Sequence, residues 1–118
     1  MSFRFLDFKV YQDAKILHTK VVKITKDFPR EFLYLKDQLR RSSLSPVLNI
    51  AEGSAKRSDR DFNRYIENAM GSANETAAGL DVAFSEKLIS EAVYKDLLEL
   101  CRLVVDQLGG FSKKLITK

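Results

Sequence analysis

Residues that form disulfides, metal sites or catalytic pairs are scarce in this sequence. It has one cysteine, one histidine, two prolines, five glycines and no tryptophan. The lone Cys101 excludes an internal disulfide and is expected to be a buried core thiol. No run of 18 apolar residues could span a bilayer, and the N-terminus lacks the apolar core of a signal peptide. We therefore expect a cytoplasmic protein without a membrane partner.

Catalytic motifs are also missing. His18 is the only base available to a serine nucleophile, and it lies at the flank of an apolar stripe, as an interior or boundary histidine does. The sequence contains no G-x-S-x-G elbow, S-x-x-K element, P-loop or G-x-G-x-x-G motif. No cluster of histidine, cysteine or carboxylate residues suggests a metal site. We expect neither enzymatic activity nor a metal or cofactor, and an enzyme is the least favoured class.

The charge is unevenly distributed along the chain. Residues 1–57 hold 12 Lys and Arg against 6 Asp and Glu, whereas residues 58–118 hold 8 against 10. A basic half favours an anionic partner such as nucleic acid. The same imbalance also occurs in proteins that bind no nucleic acid, so charge alone leaves both interpretations open.

Apolar periodicity predicts four amphipathic helices. The first runs from Phe8 to Phe28 and ends at Pro29; the second runs from about Arg30 to Gly53. Ser58 and Ser90 are predicted N-caps of the third and fourth helices, and the fourth reaches about Leu115. The third has a stripe with heptad spacing at Phe62, Ile66, Ala69, Ala73, Thr76, Leu80 and Ala83. Short connections favour an all-α, antiparallel up-down four-helix bundle, formed by a single domain over residues 1–118.

Small residues are concentrated in the third helix, and they allow another backbone to approach closely. Ala69, Ala73 and Ala77 are the positions at which a neighbouring subunit could contact this helix. Tight packing inside one bundle explains the same pattern, and the sequence does not separate the two interpretations.

The stretch LRRSSLSPVLNIAEGSAKRS, residues 39–58, is predicted to be a helix that contains a proline. Pro46 removes one backbone donor, and neighbouring serine hydroxyls can satisfy local backbone groups. Gly53 is expected to adopt a left-handed conformation that ends the helix. Asn49 and Glu52 could bridge helices by hydrogen bonds or could present a functional surface, and bridging is favoured.

This stretch and three other segments carry a resemblance to a known family. The quoted segments are Phe28-Pro29, QLRRSSLSPVLNIAEGSAKRS (38–58), FNRYIENAMGSANE (62–75) and LISEAVYKDLLEL (88–100). Together they resemble the four-helix-bundle proteins encoded by intervening sequences in bacterial 23S ribosomal RNA genes. The part of the resemblance that is most specific to the family is a block of ten residues: Gln38, Arg40, Arg41, Ser45, Pro46, Asn49, Ile50, Ala51, Glu52 and Gly53. The chain departs from the family at Tyr11, where tryptophan is common, and at Leu44 and Leu48 around the proline. We expect these departures to be changes of side-chain size within the core.

The resemblance implies a subunit that assembles into a ring, typically a homopentamer. It also implies similarity to accessory proteins of diversity-generating retroelements, which bind a reverse transcriptase and nucleic acid. The favoured function is a non-enzymatic, oligomeric RNA-associated protein, with ribosomal RNA as a possible partner. A protein-interaction scaffold, such as an accessory subunit of a reverse transcriptase, is the alternative. The predicted nucleic-acid-binding residues flank the second turn: Arg40, Arg41, Lys56, Arg57, Arg60 and Arg64.

Overall fold

Four α-helices form the protein in the computed structural model, which describes residues 3–117. The helices are α1 (Lys9–Thr25), α2 (Leu33–Ser54), α3 (Asp59–Ser85) and α4 (Glu91–Ile116). Short 3-10 helices at Arg4–Asp7 and Arg30–Phe32 precede α1 and α2. No strand occurs between residues 3 and 117, and the predicted all-α class is confirmed.

The helices pack as an antiparallel up-down bundle. Helix α1 contacts α2 and α4, and α3 also contacts α2 and α4. This topology brings the start of α1, the end of α2, the start of α3 and the end of α4 to one end of the molecule. A hydrogen bond of 2.5 Å from Ser112 Oγ of α4 to Asn63 Oδ1 of α3 joins two of these termini.

Both predicted N-caps are present. Ser58 Oγ accepts a hydrogen bond from the backbone N–H of Asp61 at 3.1 Å, and Ser90 Oγ accepts one from Val93 at 3.2 Å. Each bond satisfies an N–H that has no partner within its helix. Helices α3 and α4 therefore begin immediately after the serines identified from the sequence.

The core contains the heptad stripe of α3. All seven predicted positions are buried, with Ile66, Ala69 and Ala73 fully inaccessible. Cys101 of α4 belongs to the same core and is 2% exposed. Burial raises the pKa of its thiol to about 12, because the apolar surroundings disfavour the thiolate.

The leucines on either side of Pro46 lie outside the core. Leu44 and Leu48 are 37% and 56% exposed, so the expectation that they are core residues was wrong. The helix is continuous through Pro46, as predicted, and Pro46 itself is buried. Because Pro46 and the serines one turn earlier face inward, the leucines two residues either side of it face outward.

The serines before Pro46 form a buried polar layer. Ser42 and Ser43 donate hydrogen bonds to carbonyls three residues back, which confirms that hydroxyls satisfy local backbone groups. They also connect helices: Ser42 Oγ lies 2.9 Å from Thr76 Oγ1 of α3, and Ser43 Oγ lies 2.9 Å from His18 Nδ1 of α1. The layer thus fixes how α1, α2 and α3 pack.

Gly53 does not end α2 in the way we expected. No described glycine has a positive φ, and α2 continues to Ser54. A Cβ atom at position 53 would lie 2.8 Å from Phe62 Cδ1 and 2.8 Å from Tyr65 Cβ. Gly53 is required because α3 approaches the α2 backbone closely, not because of its backbone conformation.

Candidate nucleic-acid interface

Four of the six predicted nucleic-acid-binding residues lie together at the α2–α3 turn. These residues, here called the turn cluster, are Lys56, Arg57, Arg60 and Arg64. The three arginines are exposed and Lys56 is half-buried. Within residues 3–117, no turn-cluster side chain forms an ion pair with a carboxylate. Their positive charges are therefore available to an external anion.

The local backbone strengthens the positive potential of this turn. Ser58 starts the 27-residue helix α3, whose first N–H groups and macrodipole carry partial positive charge at this end. Asp59 and Asp61 lie in the first helical turn and offset part of that charge. The segment 56–64 still has four cations against two carboxylates, so its net charge remains positive.

An aromatic ring lies within the turn cluster. Lys56 Nζ is 5.1 Å from the centroid of the Tyr65 ring, and Arg64 Cζ is 5.9 Å from it. Both distances fall within the range of cation–π attraction. A cavity of about 370 Å³ next to the ring is lined by Arg64, Tyr65, Glu67 and Asn68.

Arg40 is half-buried beside the C-terminus of α1 and does not belong to the turn cluster. Its Nε donates to Thr25 Oγ1 at 3.0 Å, and its Nη2 donates to the carbonyl of Val22 at 3.1 Å. Val22 is in the last turn of α1, where carbonyls have no partner within the helix. Arg40 therefore caps α1, and its guanidinium is engaged within the fold.

The charge of Arg40 also affects His18, which packs near the same helix pair. Burial lowers the pKa of the half-buried His18 imidazole, and the positive charge of Arg40 lowers it further. His18 Nδ1 pairs with Ser43 Oγ across α1 and α2, in agreement with its prediction as an interior or boundary histidine.

Arg41 is exposed but separate from the turn cluster. It lies thirteen residues before the end of α2 at Ser54, a distance of about 20 Å along a helix that rises 1.5 Å per residue. The turn cluster and Arg41 are thus two distinct positive regions.

Three further cations at the same end of the bundle were not predicted as site residues. Lys113 and Lys114 occupy the last turn of α4, which the Ser112–Asn63 hydrogen bond places beside the first turns of α3. Arg4 donates two hydrogen bonds to the carbonyl of Ser54, at 2.9 and 3.2 Å. The signal that could have found them is the up-down topology itself, which puts both chain ends near the second turn.

The polar residues of the Asn-Ile-Ala-Glu-Gly segment have separate roles. Asn49 Nδ2 donates to the carbonyl and the Oγ of Ser45, and Ser45 Oγ lies 2.7 Å from Ser72 Oγ of α3. Asn49 therefore supports a bridge between α2 and α3, the role that was favoured. The side chain of Glu52 is exposed and forms no hydrogen bond or ion pair with the described residues.

The small residues of α3 divide between the core and the surface. Ala69 and Ala73 are completely buried within a single chain, which agrees with tight packing inside one bundle and leaves them no surface for a neighbouring subunit. Ala77 is half-buried and lines a groove between α3 and α4. Of the three predicted interface residues, Ala77 alone retains surface that a partner could contact.

Across residues 3–117, no three His, Cys, Asp or Glu side chains are grouped so that they could hold a metal ion. None of the described helices combines the length and the apolar character needed to cross a membrane.

Comparison with known proteins identifies the family of the chain. No curated protein sequence matches it. A crystal structure of a protein of unknown function from the S23 ribosomal protein family of Bacteroides thetaiotaomicron superposes with a TM-score of 0.81. It is 22% identical, and the alignment covers 88% of this chain and 98% of that one, which shows a shared fold. The sequence model of the 23S rRNA-intervening sequence protein family matches residues 6–110, and the chain therefore belongs to that family.

Proposed function

We propose that this protein is a non-enzymatic, oligomeric, cytoplasmic RNA-associated protein that binds RNA through the turn cluster. The observation that carries the proposal is the group of four cations without carboxylate partners at one end of the bundle. Lysine and arginine side chains in such a group neutralise phosphates and release condensed counterions. Membership in a family tied to 23S rRNA supports RNA, including ribosomal RNA, as the anion.

The exposed apolar face of α2 supports self-association. Leu44 and Leu48 project from this face, and Phe3 nearby is 62% exposed. A depression of about 750 Å³ lies beside Leu48 and is lined by Phe3, Phe5, Leu48, Ala51 and other residues. Exposed apolar surface of this kind is typical of protein interfaces. Assembly, which we propose to be a homopentamer, would repeat the turn cluster and allow weak contacts to add by avidity.

The first experiment measures binding to a labelled structured RNA over a series of salt concentrations. The test variant is Lys56→Glu/Arg57→Glu/Arg60→Glu/Arg64→Glu. The matched control reverses four charges at the opposite end of the bundle, as Lys23→Glu/Lys26→Glu/Arg30→Glu/Lys36→Glu. Both variants leave Arg40 in place, because its loss would disturb the α1 cap.

We expect the turn-cluster variant to lose most of its affinity for RNA and most of the salt dependence of RNA binding. A plot of log K against log salt has a negative slope, and each lost phosphate contact makes this slope less steep by about 0.7 to 0.9. The control should retain a slope near that of the wild type. A slope that falls only in the control would place the RNA surface on α1 and the start of α2. No binding by the wild type at low salt would contradict the RNA function.

The apolar face of α2 also favours a second candidate, a protein-interaction scaffold such as an accessory subunit of a reverse transcriptase. In that case Leu48 and its neighbours would contact a different protein. Co-purification of the tagged protein with a reverse transcriptase, abolished by Leu48→Glu, would support this candidate. A reverse-transcriptase gene next to the coding sequence would favour it, whereas a position within a ribosomal RNA gene would favour the RNA function.

A further inference from the structure

We infer that the cavity beside Tyr65 holds one unpaired nucleobase, with a preference for guanine. The inference rests on the proposed RNA function and specifies the ligand of the same surface. The inference depends on an aromatic ring, one cation (Arg64) and two polar side chains that line one cavity of about 370 Å³, with Lys56 over the same ring. That volume lies at the lower end of the range for small-ligand sites, about 300 to 1,000 Å³.

Tyr65 provides a stacking surface. Its side chain starts close to the α2 backbone, since a Cβ at Gly53 would lie 2.8 Å from Tyr65 Cβ. The ring is half-buried, so part of it remains accessible from the cavity. Proteins that bind single-stranded nucleic acid commonly stack bases on aromatic rings. The close approach of α2 and α3 at Gly53 sets where the Tyr65 side chain leaves the backbone, and the accessible part of its ring is available for stacking.

Two cations lie over the Tyr65 ring and could contact the phosphates of a nucleotide bound there. Lys56 approaches the Tyr65 ring from the α2–α3 turn, and Arg64 approaches it from the preceding position of α3. Neither forms an ion pair with a carboxylate of the described residues. A nucleotide whose base replaced these cations on the Tyr65 ring would thus have two mobile positive charges within reach of its phosphates, which a lone surface tyrosine does not provide.

Glu67 and Asn68 supply the groups that could distinguish bases. Both side chains are exposed, both line the cavity, and neither side chain has a hydrogen-bond or ion-pair partner among residues 3–117. An ionised carboxylate only accepts hydrogen bonds. The Watson–Crick edge of guanine offers two adjacent N–H donors, which one carboxylate can accept together. Those donors are used for pairing in a duplex, so the site selects an unpaired guanine.

The test compares short labelled oligouridylates with a central guanosine or a central adenosine, and a hairpin duplex of similar length. The variants are Tyr65→Ala, Tyr65→Phe as the control that keeps the ring, and Glu67→Gln. Tyr65→Ala should weaken binding of the guanosine strand about tenfold, while Tyr65→Phe should retain it. Neither tyrosine substitution changes a charge, so both should keep the wild-type salt slope. Circular dichroism checks that each variant is folded.

Glu67→Gln tests whether the carboxylate selects the base. Glu67 is exposed, so its replacement leaves the core intact. The substitution should abolish the preference for guanosine over adenosine, expected to be about tenfold in the wild type. Equal binding by the wild type, Tyr65→Ala and Glu67→Gln, with the salt dependence preserved, would overturn the nucleobase site but leave the RNA function standing. A wild-type protein that prefers the hairpin would also overturn it. Failure of the wild type to bind any of the three RNAs would overturn both proposals.

Discussion

The guanidinium of Arg40 on α2 donates a hydrogen bond of 3.0 Å to Oγ1 of Thr25, a fully buried residue in the last turn of α1. Thr25 Oγ1 in turn donates to the carbonyl of Val21, and Arg40 bonds the carbonyl of Val22. A positive charge at the C-terminus of a helix also interacts favourably with the helix dipole. The Arg-Arg pair in the family-like block therefore contains one structural and one exposed arginine.

Arg40→Gln should destabilise the fold by about 2 kcal/mol, because hydrogen bonds to charged groups contribute about 1.5 to 3 kcal/mol. Arg41→Gln is the matched control, since Arg41 is exposed, and it should change stability by less than about 0.5 kcal/mol. Urea denaturation followed by circular dichroism measures both. Equal losses of stability in the two variants would contradict the capping role of Arg40.

Two helical glycines should respond in opposite directions to alanine. Gly53→Ala should destabilise the protein by about 1 to 3 kcal/mol, because its Cβ would overlap Phe62 and Tyr65. A Cβ at Gly71 meets nothing within 4 Å, so Gly71→Ala should stabilise the protein by about 0.5 to 1 kcal/mol through helix propensity. Thermal unfolding of both variants gives the comparison. A stabilising Gly53→Ala would show that α2 and α3 can separate at this point without cost.

The sequence predicted α3 more fully than α2, and the reason is physical. The heptad stripe of α3 is apolar except at Thr76, so its period identifies the buried face. On α2 the buried face includes Ser42, Ser43 and Pro46, while Leu44 and Leu48 face outward. Hydrophobic periodicity fails where hydroxyls are buried in hydrogen-bonded pairs, because the pairing partners lie on other helices.

The candidate site was predicted in part for a similar reason. Lys56, Arg57, Arg60 and Arg64 are close in sequence, so their proximity follows from one turn. The role of Arg40 depends on Thr25 of a different helix. That role is a consequence of packing between helices, which a single sequence does not reveal. The cavity at Tyr65 lies along α3, but its volume is a property of side-chain conformation that the sequence does not give.

Stability should fall as the pH is lowered through the titration range of His18. Burial and the charge of Arg40 lower the pKa of His18 in the folded protein below its ordinary value of 6.5. The unfolded chain then binds a proton at a higher pH than the folded protein does. The stability that the neutral imidazole provides is therefore complete above pH 6.5 and decreases as the pH falls from 6.5 toward the lower folded pKa.

The measurement is the free energy of unfolding of the wild type and of His18→Gln at several values between pH 7.5 and pH 5. Glutamine retains hydrogen-bonding capacity toward Ser43 but does not titrate. The difference in stability between the two proteins should shift in favour of His18→Gln as the pH falls. A difference that stays constant across this range, or shifts in the opposite direction, would show that His18 is not held neutral by its surroundings.

Glutamate substitutions at Leu48 and Ala73 should separate assembly from folding. Leu48 is 56% exposed on α2, so Leu48→Glu should leave the subunit folded and stable while dissociating an oligomer that uses this face. Ala73 is completely buried within the bundle, and a charge placed there without a partner costs several kcal/mol. Ala73→Glu should therefore unfold the subunit and not merely dissociate the oligomer.

Size-exclusion chromatography with light scattering reports the mass of each variant, and circular dichroism reports its helix content. A Leu48→Glu variant with the wild-type mass would place any subunit interface elsewhere, with the half-buried Ala77 groove as the next surface to test.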